Sequence, residues 1–198
     1  MYTIGIDTSH QFLLLVLMDE KKVIDYIRQQ CPKLQSEYII LELNNLLKRN
    51  GVALAEVSNV VVSIGPGSYT GVRIGLTVAK ILGSIVGKNV YTLSTLQLYA
   101  GLDNALVLLD ARAKRCYVGR YNKGSALGED KVMTNEEIRE LLNDDVTLIG
   151  DLQLFDKESC YPEVEQNFMR LKDRWQKASN VDLLTPAYLK SSQEYLRK

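Results

Sequence analysis

The sequence predicts an α/β protein of two lobes, each a mixed sheet with helices, in which the second lobe is abbreviated. Three observations lead to this prediction. Apolar runs typical of strands alternate with helical segments along the 198 residues. The elements of the first half follow the order β-β-β-α-β-α-β-α. The second half then begins again with an apolar strand that ends in aspartate, as the first strand does.

Three strands and a helix are predicted at the start of the chain. The apolar runs 2–6, 12–18 and 23–28 are separated by short polar turns, which is typical of an antiparallel meander. A helix over 36–48 follows. Gly51 comes directly after it and suits a helix C-terminus, because glycine tolerates the left-handed conformation found there.

The rest of the first half contains the most informative stretch of the chain. A buried strand over 57–64 runs into the glycine-rich turn GPGSYTG at 65–71. A long apolar helix over 72–87 comes next, followed by a short strand at 89–92 and a helix at 95–102. The long helix contains two basic residues and is shorter than the roughly 20 apolar residues of a membrane span.

The second half repeats the strand pattern on a smaller scale. Its predicted elements are strands at 105–109 and 115–121, a helix that begins at Thr134, a strand at 146–149 and a helix at 164–177. Thr134 and Glu137 have the spacing of a capping box. We therefore expect an N-terminal lobe at 1–102, which would contain the partner-binding helices, and a smaller C-terminal lobe with a terminal segment at 103–198. Two related lobes of this order are typical of the actin-like, sugar-kinase-like (ASKHA) architecture.

Composition limits the classes of function. The 24 basic and 24 acidic residues cancel, which argues against a stand-alone nucleic-acid binder. Cys31, Cys116 and Cys160 are widely spaced and odd in number, as expected for free thiols in a reducing compartment. The N-terminus begins a strand at once and has no signal-peptide pattern. We therefore expect a cytoplasmic protein without a membrane segment.

Two helices of the first half are more apolar than a single lobe requires. Small residues recur every fourth position on the long helix, and a polar row lies beside them, so we expect a groove that a partner fills. In the helix at 36–48, core packing accounts for Ile40, Leu43 and Leu47 and leaves further apolar residues unexplained. The predicted partner-binding residues are Tyr38, Ile39, Leu46, Arg73, Gly75, Thr77, Ala79 and Lys80.

The glycine-rich turn has two interpretations. A turn of this kind before a helix can hold phosphate through backbone N–H groups, with Gly67 and Ser68 as candidates. Its spacing, however, fits neither the Walker loop nor the dinucleotide fingerprint. A tight turn with close packing is the other interpretation, and we favour it.

Asp7 is the third candidate for cofactor binding. In actin-like phosphotransferases a carboxylate at the end of the first strand can hold a metal-bound phosphate, whereas Asp7-Thr8-Ser9 is also an ordinary turn sequence. His10 is the sole histidine, so a zinc site with two histidines on one helix cannot be built. We interpret His10 as a turn residue and expect no catalytic residues, metal or resident cofactor.

Four motifs carry a resemblance to a known family. They are Asp7-Thr8-Ser9, GPGSYTGVRIG at 65–75, Asp110-Ala111-Arg112 followed by Cys116-Tyr117, and Pro186-Ala187-Tyr188-Leu189-Lys190. Together they resemble the TsaB (YeaZ) family of tRNA threonylcarbamoyladenosine biosynthesis proteins, over almost the whole chain. The chain departs from the family pattern at Tyr69, where phenylalanine is usual, and at Gln35, where histidine is frequent.

The resemblance implies a fold and a function. It implies an actin-like subunit that is not itself a catalyst and that pairs with the catalytic subunit TsaD through helices of the first lobe. It further implies self-association when the subunit is alone, an ATPase partner TsaE, and only indirect contact with tRNA. The complex would transfer threonylcarbamoyl from its adenylate to the adenosine 3′ of the anticodon in tRNAs that read ANN codons. The alternative is a small actin-like phosphotransferase that binds ATP at Asp7 and the glycine-rich turn.

Overall fold

A computed structural model describes residues 1–31, 33–142 and 146–190. The strands are β1 (Tyr2–Asp7), β2 (Phe12–Met18), β3 (Val23–Gln30), β4 (Val57–Ser63), β5 (Asn89–Leu93), β6 (Ala105–Asp110), β7 (Arg115–Asn122), β8 (Ser125–Ala126), β9 (Lys131–Thr134), β10 (Thr147–Gly150) and β11 (Gln176–Lys177). The helices are α1 (Gln35–Arg49), α2 (Tyr69–Lys80), α3 (Thr95–Ala100), α4 (Asn135–Arg139) and α5 (Val164–Arg170). A π-helical turn, Ile81–Ile85, extends α2, and short 3₁₀ turns occur at Leu54–Glu56, Leu152–Phe155 and Lys172–Arg174.

The first sheet has six strands in the order β11-β5-β4-β1-β2-β3. β1, β2 and β3 form the predicted antiparallel meander, and β4 pairs in parallel with both β1 and β5. β2 is apolar at every position because both of its faces are covered. Leu13, Leu15 and Leu17 belong to one core, and Leu14, Val16 and Met18 belong to the other.

The second sheet is smaller, with the order β10-β6-β7-β8 and β9 paired to β7. β6 and β7 form the predicted hairpin, in which Ala105 lies opposite Tyr121. The capping box is present: the Thr134 hydroxyl accepts from Glu137 N, and the Glu137 carboxylate accepts from Thr134 N. The two-lobed mixed α/β fold that the sequence predicts is therefore confirmed.

Three apolar cores hold these layers together. The first lies between the first sheet and the pair α1 and α2. The second lies between the two sheets and includes Tyr99 of α3 and Phe168 of α5, so the lobes share a core. The third covers the outer side of the second sheet, where Ile138 of α4 is completely buried.

The predicted helix at 164–177 is wrong in its second part. α5 ends at Arg170, and β11 then pairs with β5, with Gln176 opposite Thr92. Without β11, the backbone N–H and C=O groups on one edge of β5 would be unpaired. The polar segment after α5 has few apolar side chains to pack as a helix, so it pairs with this edge as a strand. The chain after α5 thus returns to the first sheet. The boundary between the two lobes, after residue 102, stays a prediction. The last eight residues of the predicted C-terminal lobe, 191–198, lie outside the described part of the chain.

The predicted long helix begins three residues earlier than expected. Ser68 is its N-cap residue, and the Ser68 hydroxyl accepts from Gly71 N. The cap moves Tyr69, Thr70 and Gly71 from the turn into the first turn of α2. Among the described residues, no helix is both long and apolar enough to cross a membrane.

Candidate functional site

The row of small residues on α2 faces its own lobe. Gly75 packs on the end of β1: a Cβ there would lie 2.7 Å from Thr8 Oγ1 and 3.3 Å from Ile6 Cγ2. At Gly71, a Cβ would lie 2.1 Å from the backbone oxygen of Thr8. Ala79 is fully buried in the core below. The expectation that Gly75 and Ala79 contact a partner is therefore wrong, because the first sheet already fills the groove.

The buried face of α1 also differs from the prediction. Ile39 and Leu46 are in the core, whereas Ile40 and Leu41 are exposed. Leu43 and Leu47 are buried as expected. Because α1 is apolar on several sides, its sequence alone did not fix which side meets the sheet. Ile39 and Leu46 are thus corrected from partner-binding candidates to core residues.

An outer helix surface remains, and we define it as Ile40, Leu41, Arg73, Thr77, Ile81 and Ile85. Ile40 and Leu41 on α1 are 59% and 53% exposed, and Ile81 and Ile85 at the end of α2 are 47% and 79% exposed. α1 and α2 contact each other and contribute to the same core, so both helices cover one side of the first sheet. Arg73 and Thr77 of α2 are exposed, and Tyr38 and Lys80 are half-buried.

The segment before Lys190 lies along α2. Lys80 Nζ donates to the backbone oxygen of Asp182 at 2.8 Å, and Ser84 Oγ donates to its carboxylate at 2.5 Å. Arg73 Nε donates to Tyr188 OH at 2.7 Å. The ring of Tyr69, the residue at which the sequence departs from its family, stacks on Tyr188 at 5.2 Å. This segment therefore fixes the side chains at one border of the outer helix surface.

A cleft of 660 Å³ separates the turns of the two lobes. Its walls come from the turn after β1, from the glycine-rich turn and the start of α2, and from the turn after β6. Lining side chains with polar or charged groups include Ser9, His10, Ser68, Asp110, Arg112, Asp151 and Lys190. Lys190 Nζ donates to the backbone oxygen of Ala111 and lies 5.4 Å from the centre of the Tyr117 ring.

Asp7 lies beneath the cleft and does not line it. The Asp7 side chain is fully buried. One of its oxygens accepts from Ser9 N at 3.1 Å, from Ser9 Oγ at 2.5 Å and from the Ser63 hydroxyl; the other accepts from Tyr99 OH at 3.4 Å. The carboxylate therefore stabilises the end of β1, which is the ordinary turn interpretation of this motif.

Gly67 and Ser68 line the cleft, but much of the turn's hydrogen-bonding capacity is used within the protein. Ser68 N donates to the backbone oxygen of Ser9 at 2.7 Å. Gly71 N donates to Ser68 Oγ at 3.2 Å, and Val72 N donates to the Ser68 backbone oxygen at 2.9 Å. These contacts describe a closely packed turn, in which the N–H groups of Ser68 and Gly71 are already bound within the protein.

His10 connects the two lobes. Its Nε2 lies 2.9 Å from Asp151 Oδ2, and both side chains are almost completely buried. Asp151 also accepts from Asp110 N at 2.6 Å and from the hydroxyl of Tyr161. Burial alone would raise the pKa of Asp151, but these hydrogen bonds and the nearby His10 together lower it below its ordinary value.

Sequence reasoning missed this connection between the lobes. His10 is in a turn, as predicted, but its partners Asp151 and Tyr161 are more than 140 residues further along the chain. The only sequence signal was that Asp151 follows the Gly150 that ends a strand. Gln35 helps to hold the turn that contains His10, since Gln35 Nε2 donates to the backbone oxygen of His10 at 3.1 Å. Among the described residues, no group of three or more His, Cys, Asp or Glu side chains could hold a metal ion.

Fold and cleft together define a two-lobed protein of actin-like architecture. The family model described as "TsaD: tRNA N6-adenosine threonylcarbamoyltransferase" matches residues 29–153. A TsaB protein of Bacillus subtilis, described as a tRNA threonylcarbamoyladenosine biosynthesis protein, is 34% identical over 67% of this chain and 60% of its own length. The Escherichia coli protein of the same description is 26% identical over 74% of this chain and 64% of its own length. The chain thus spans about three fifths of the length of these two relatives.

A solved structure agrees in fold. YeaZ from Pseudomonas aeruginosa superposes with a TM-score of 0.79 at 21% sequence identity, covering 95% of this chain and 99% of that one. The chain belongs to the TsaD family, within its TsaB (YeaZ) group, as the four sequence motifs predicted.

Proposed function

We propose that this chain is a non-catalytic subunit in the biosynthesis of threonylcarbamoyladenosine in tRNA, and that it acts by binding the catalytic subunit TsaD. The outer helix surface is the observation that carries the proposal. It presents four exposed branched aliphatic side chains on two adjacent helices. Large apolar side chains left exposed on neighbouring helices are typical of protein–protein contacts. The biosynthetic pathway, that of threonylcarbamoyladenosine in tRNA, is inferred from the descriptions of the two TsaB relatives.

The family relationship supports TsaD as the occupant of this surface. Residues 29–153, which match the TsaD model, include all of α1 and α2. A TsaD protein is therefore expected to present a related pair of helices. Two related folds can pair through equivalent helices around an approximate twofold axis, as identical subunits do around an exact one. The same geometry would allow two copies of this chain to pair when TsaD is absent.

The chemistry of the surface suits a specific contact. Ile81 and Ile85 offer apolar area at one end of α2, and Ile40 and Leu41 offer it on α1. Arg73 is held over the Tyr69 ring at 3.9 Å, so its side chain is ordered before a partner arrives. Arginine and aromatic residues are frequent among the residues that dominate binding energy. A contact of about 800 Å² on each partner would be of ordinary size.

Through this contact the chain would stabilise the competent conformation of TsaD, because a partner that binds one conformation better shifts the population toward it. TsaE would join through the complex, and tRNA would contact this subunit only indirectly. We place the protein in the cytoplasm, where tRNA is modified. The alternative, a phosphotransferase with Asp7 at ATP, has less support because hydroxyl and amide donors already occupy that carboxylate.

The decisive experiment combines binding and modification. Ile81→Asp and Leu41→Asp each place a charge on the outer helix surface, where the isolated fold tolerates it. We expect each variant to fold as the parent does, to lose co-purification with TsaD, and to lower threonylcarbamoyladenosine formation in a reconstituted reaction at least about tenfold, which corresponds to about 1.4 kcal/mol.

Leu127→Asp is the matched control. Leu127 is 54% exposed, which is close to Leu41, but it follows β8 of the second sheet, away from α1 and α2. It should bind TsaD and support the reaction as the parent chain does. If all three variants behave like the parent, the surface is not the TsaD contact. If the reaction proceeds equally well without this chain, the proposed function is wrong.

A further inference from the structure

A second, smaller cavity is lined by Gly65 and Pro66 of the glycine-rich turn, whereas the later residues of that turn line the cleft. It has a volume of 170 Å³, several times the roughly 10–15 Å³ that one water requires. It opens where the parallel strands β4 and β5 end, beside Ile64 and Leu93. In α/β sheets, ligands bind preferentially beyond the carboxyl ends of parallel strands. Position and size therefore suit a small ligand.

Asp130 is the charged residue in the cavity wall. Its Oδ1 and Oδ2 lie 2.7 and 2.9 Å from Tyr121 OH, and Oδ2 accepts from Ser94 Oγ at 3.0 Å. These two donors are neutral. Among the described residues, no lysine, arginine or histidine forms an ion pair with it. Burial raises the pKa of Asp130, and the hydrogen bonds from Tyr121 and Ser94 oppose that shift only in part.

The wall offers further acceptors besides Asp130, together with the side-chain amides of Gln97 and Gln176. Gln97 Nε2 donates to the backbone oxygen of Gly124 at 2.8 Å, which leaves the Gln97 side-chain oxygen to accept. The Thr92 hydroxyl donates to the backbone oxygen of Gln176. A carboxylate has about four lone-pair sites, and Tyr121 and Ser94 fill fewer than that. A ligand that fits this wall must bring hydrogen-bond donors and positive charge.

The remaining wall is apolar. Its lining side chains are those of Ile64, Leu93, Ala187 and Leu189, besides Pro66. A short hydrocarbon chain can pack there. A zwitterionic amino acid fits poorly, because among the described residues no basic side chain lines the cavity to pair with its carboxylate. The combination of one uncompensated carboxylate, several acceptors and an aliphatic wall excludes anions and favours simple amines.

We propose that this cavity is a binding site for a small aliphatic primary amine, whose ammonium group pairs with Asp130 while its hydrocarbon part packs between Ile64 and Leu189. The site is separate from the outer helix surface, so it goes beyond the TsaD-binding function. The Coulomb attraction between two charges is stronger in a partly desolvated cavity than on the surface, and it acts against the cost of burying Asp130.

n-Butylammonium chloride is a suitable probe, titrated into the full chain at constant ionic strength and followed by amide chemical shifts. We expect saturable shifts at residues around the cavity. Asp130→Asn should weaken binding at least about tenfold, since the ion pair is lost while the side-chain shape is kept. Asp103→Asn removes the same charge from an exposed position outside the cavity and should leave the dissociation constant unchanged.

Two further arms separate charge recognition from general apolar binding. 1-Butanol has the same chain without the charge, and it should bind at least about tenfold more weakly. Ala187→Ile fills the cavity without touching Asp130 and should abolish the shifts, which provides a test if Asp130→Asn does not fold. The proposal is overturned if n-butylammonium gives no saturable shifts, if 1-butanol binds equally well, or if Ala187→Ile binds as the parent does.

Discussion

Thr8 bridges two backbone groups of α2 that lie one helical turn apart. Its hydroxyl donates to the backbone oxygen of Gly71 at 2.7 Å and accepts from Gly75 N at 2.9 Å. The side chain is almost fully buried. The close approach is possible because neither glycine has a Cβ. This contact joins the end of β1 to the first turns of the helix that, with its π-helical extension, carries four of the six residues of the outer helix surface.

Thr8→Val should destabilise the fold by about 1–3 kcal/mol, because it keeps the volume and removes both buried hydrogen bonds of the Thr8 hydroxyl. The free energy of unfolding from urea denaturation measures the effect. Thr8→Ser is the control: it keeps the hydroxyl and loses one methyl group, so it should cost about 1 kcal/mol or less. Equal stability of the two variants would show that the bridge contributes nothing.

Gly71→Ala and Gly75→Val should reduce stability rather than binding. The new Cβ at Gly71 would lie 2.1 Å from the Thr8 backbone oxygen, so the helix must move, at a cost of about 1–3 kcal/mol or more. Thermal unfolding and TsaD binding are measured on the same samples. We expect the fraction that remains folded to bind TsaD with the affinity of the parent.

Thr77→Val is the matched control on the same helix, because Thr77 is exposed. It should change the free energy of unfolding by less than about 0.5 kcal/mol. If folded Gly75→Val fails to bind TsaD while its thermal stability is unchanged, then the small residues do contribute to the contact, contrary to their burial.

Sequence patterns predicted the elements whose signals are local. The strands of the meander and the turn before α2 follow from short apolar runs and from glycine spacing, and all are present. α1 shows the limit of such patterns. Its helical period was clear, yet its apolar residues occupy several sides, and only packing against β2 selects Ile39 and Leu46 over Ile40 and Leu41.

Features that depend on distant parts of the chain could not be predicted. β11 is two residues long, and it forms because the edge of β5 is available 84 residues earlier. The contact between His10 and Asp151 likewise requires the two lobes to be already assembled. No periodicity or spacing in the sequence around β11 or His10 predicts these pairings, because the hydrogen bonds that stabilise them exist only in the folded state.

Asp151→Asn should destabilise the protein by about 2 kcal/mol near neutral pH, since hydrogen bonds to a charged acceptor are worth about 1.5–3 kcal/mol. The hydrogen bonds and His10 hold the pKa of Asp151 below its ordinary value despite burial. A carboxyl whose pKa is lower when folded stabilises the fold above its unfolded pKa. That contribution is lost as the pH falls through the folded pKa.

The difference in free energy of unfolding between parent and Asp151→Asn should therefore be largest near neutral pH and shrink in acid below about pH 4, the ordinary value for aspartate. Urea denaturation at a series of pH values measures it. Asp103→Asn, an exposed substitution, should show little difference from the parent at any of these pH values. A difference for Asp151→Asn that grows as the pH falls would contradict the assigned direction of the pKa shift.

The three cysteines should differ sharply in reactivity. Cys160 is exposed, whereas Cys31 and Cys116 are buried. Burial raises the pKa of Cys116 to about 12 and also raises that of Cys31, so little thiolate forms at either site near pH 8. We expect one fast-reacting thiol in the native chain with an aromatic disulfide reagent at pH 8, and three in denaturant.

Cys160→Ser identifies that thiol, because it should remove the fast phase and leave the two slow thiols unchanged. The slow phase should accelerate in Thr8→Val, since thiols buried in the native core react through opening of the fold, and a less stable fold opens more often. Fast reaction of two or three thiols in the native parent would mean that Cys31 or Cys116 is accessible. That result would contradict the packing of the first core if the thiol is Cys31, or of the third core if it is Cys116.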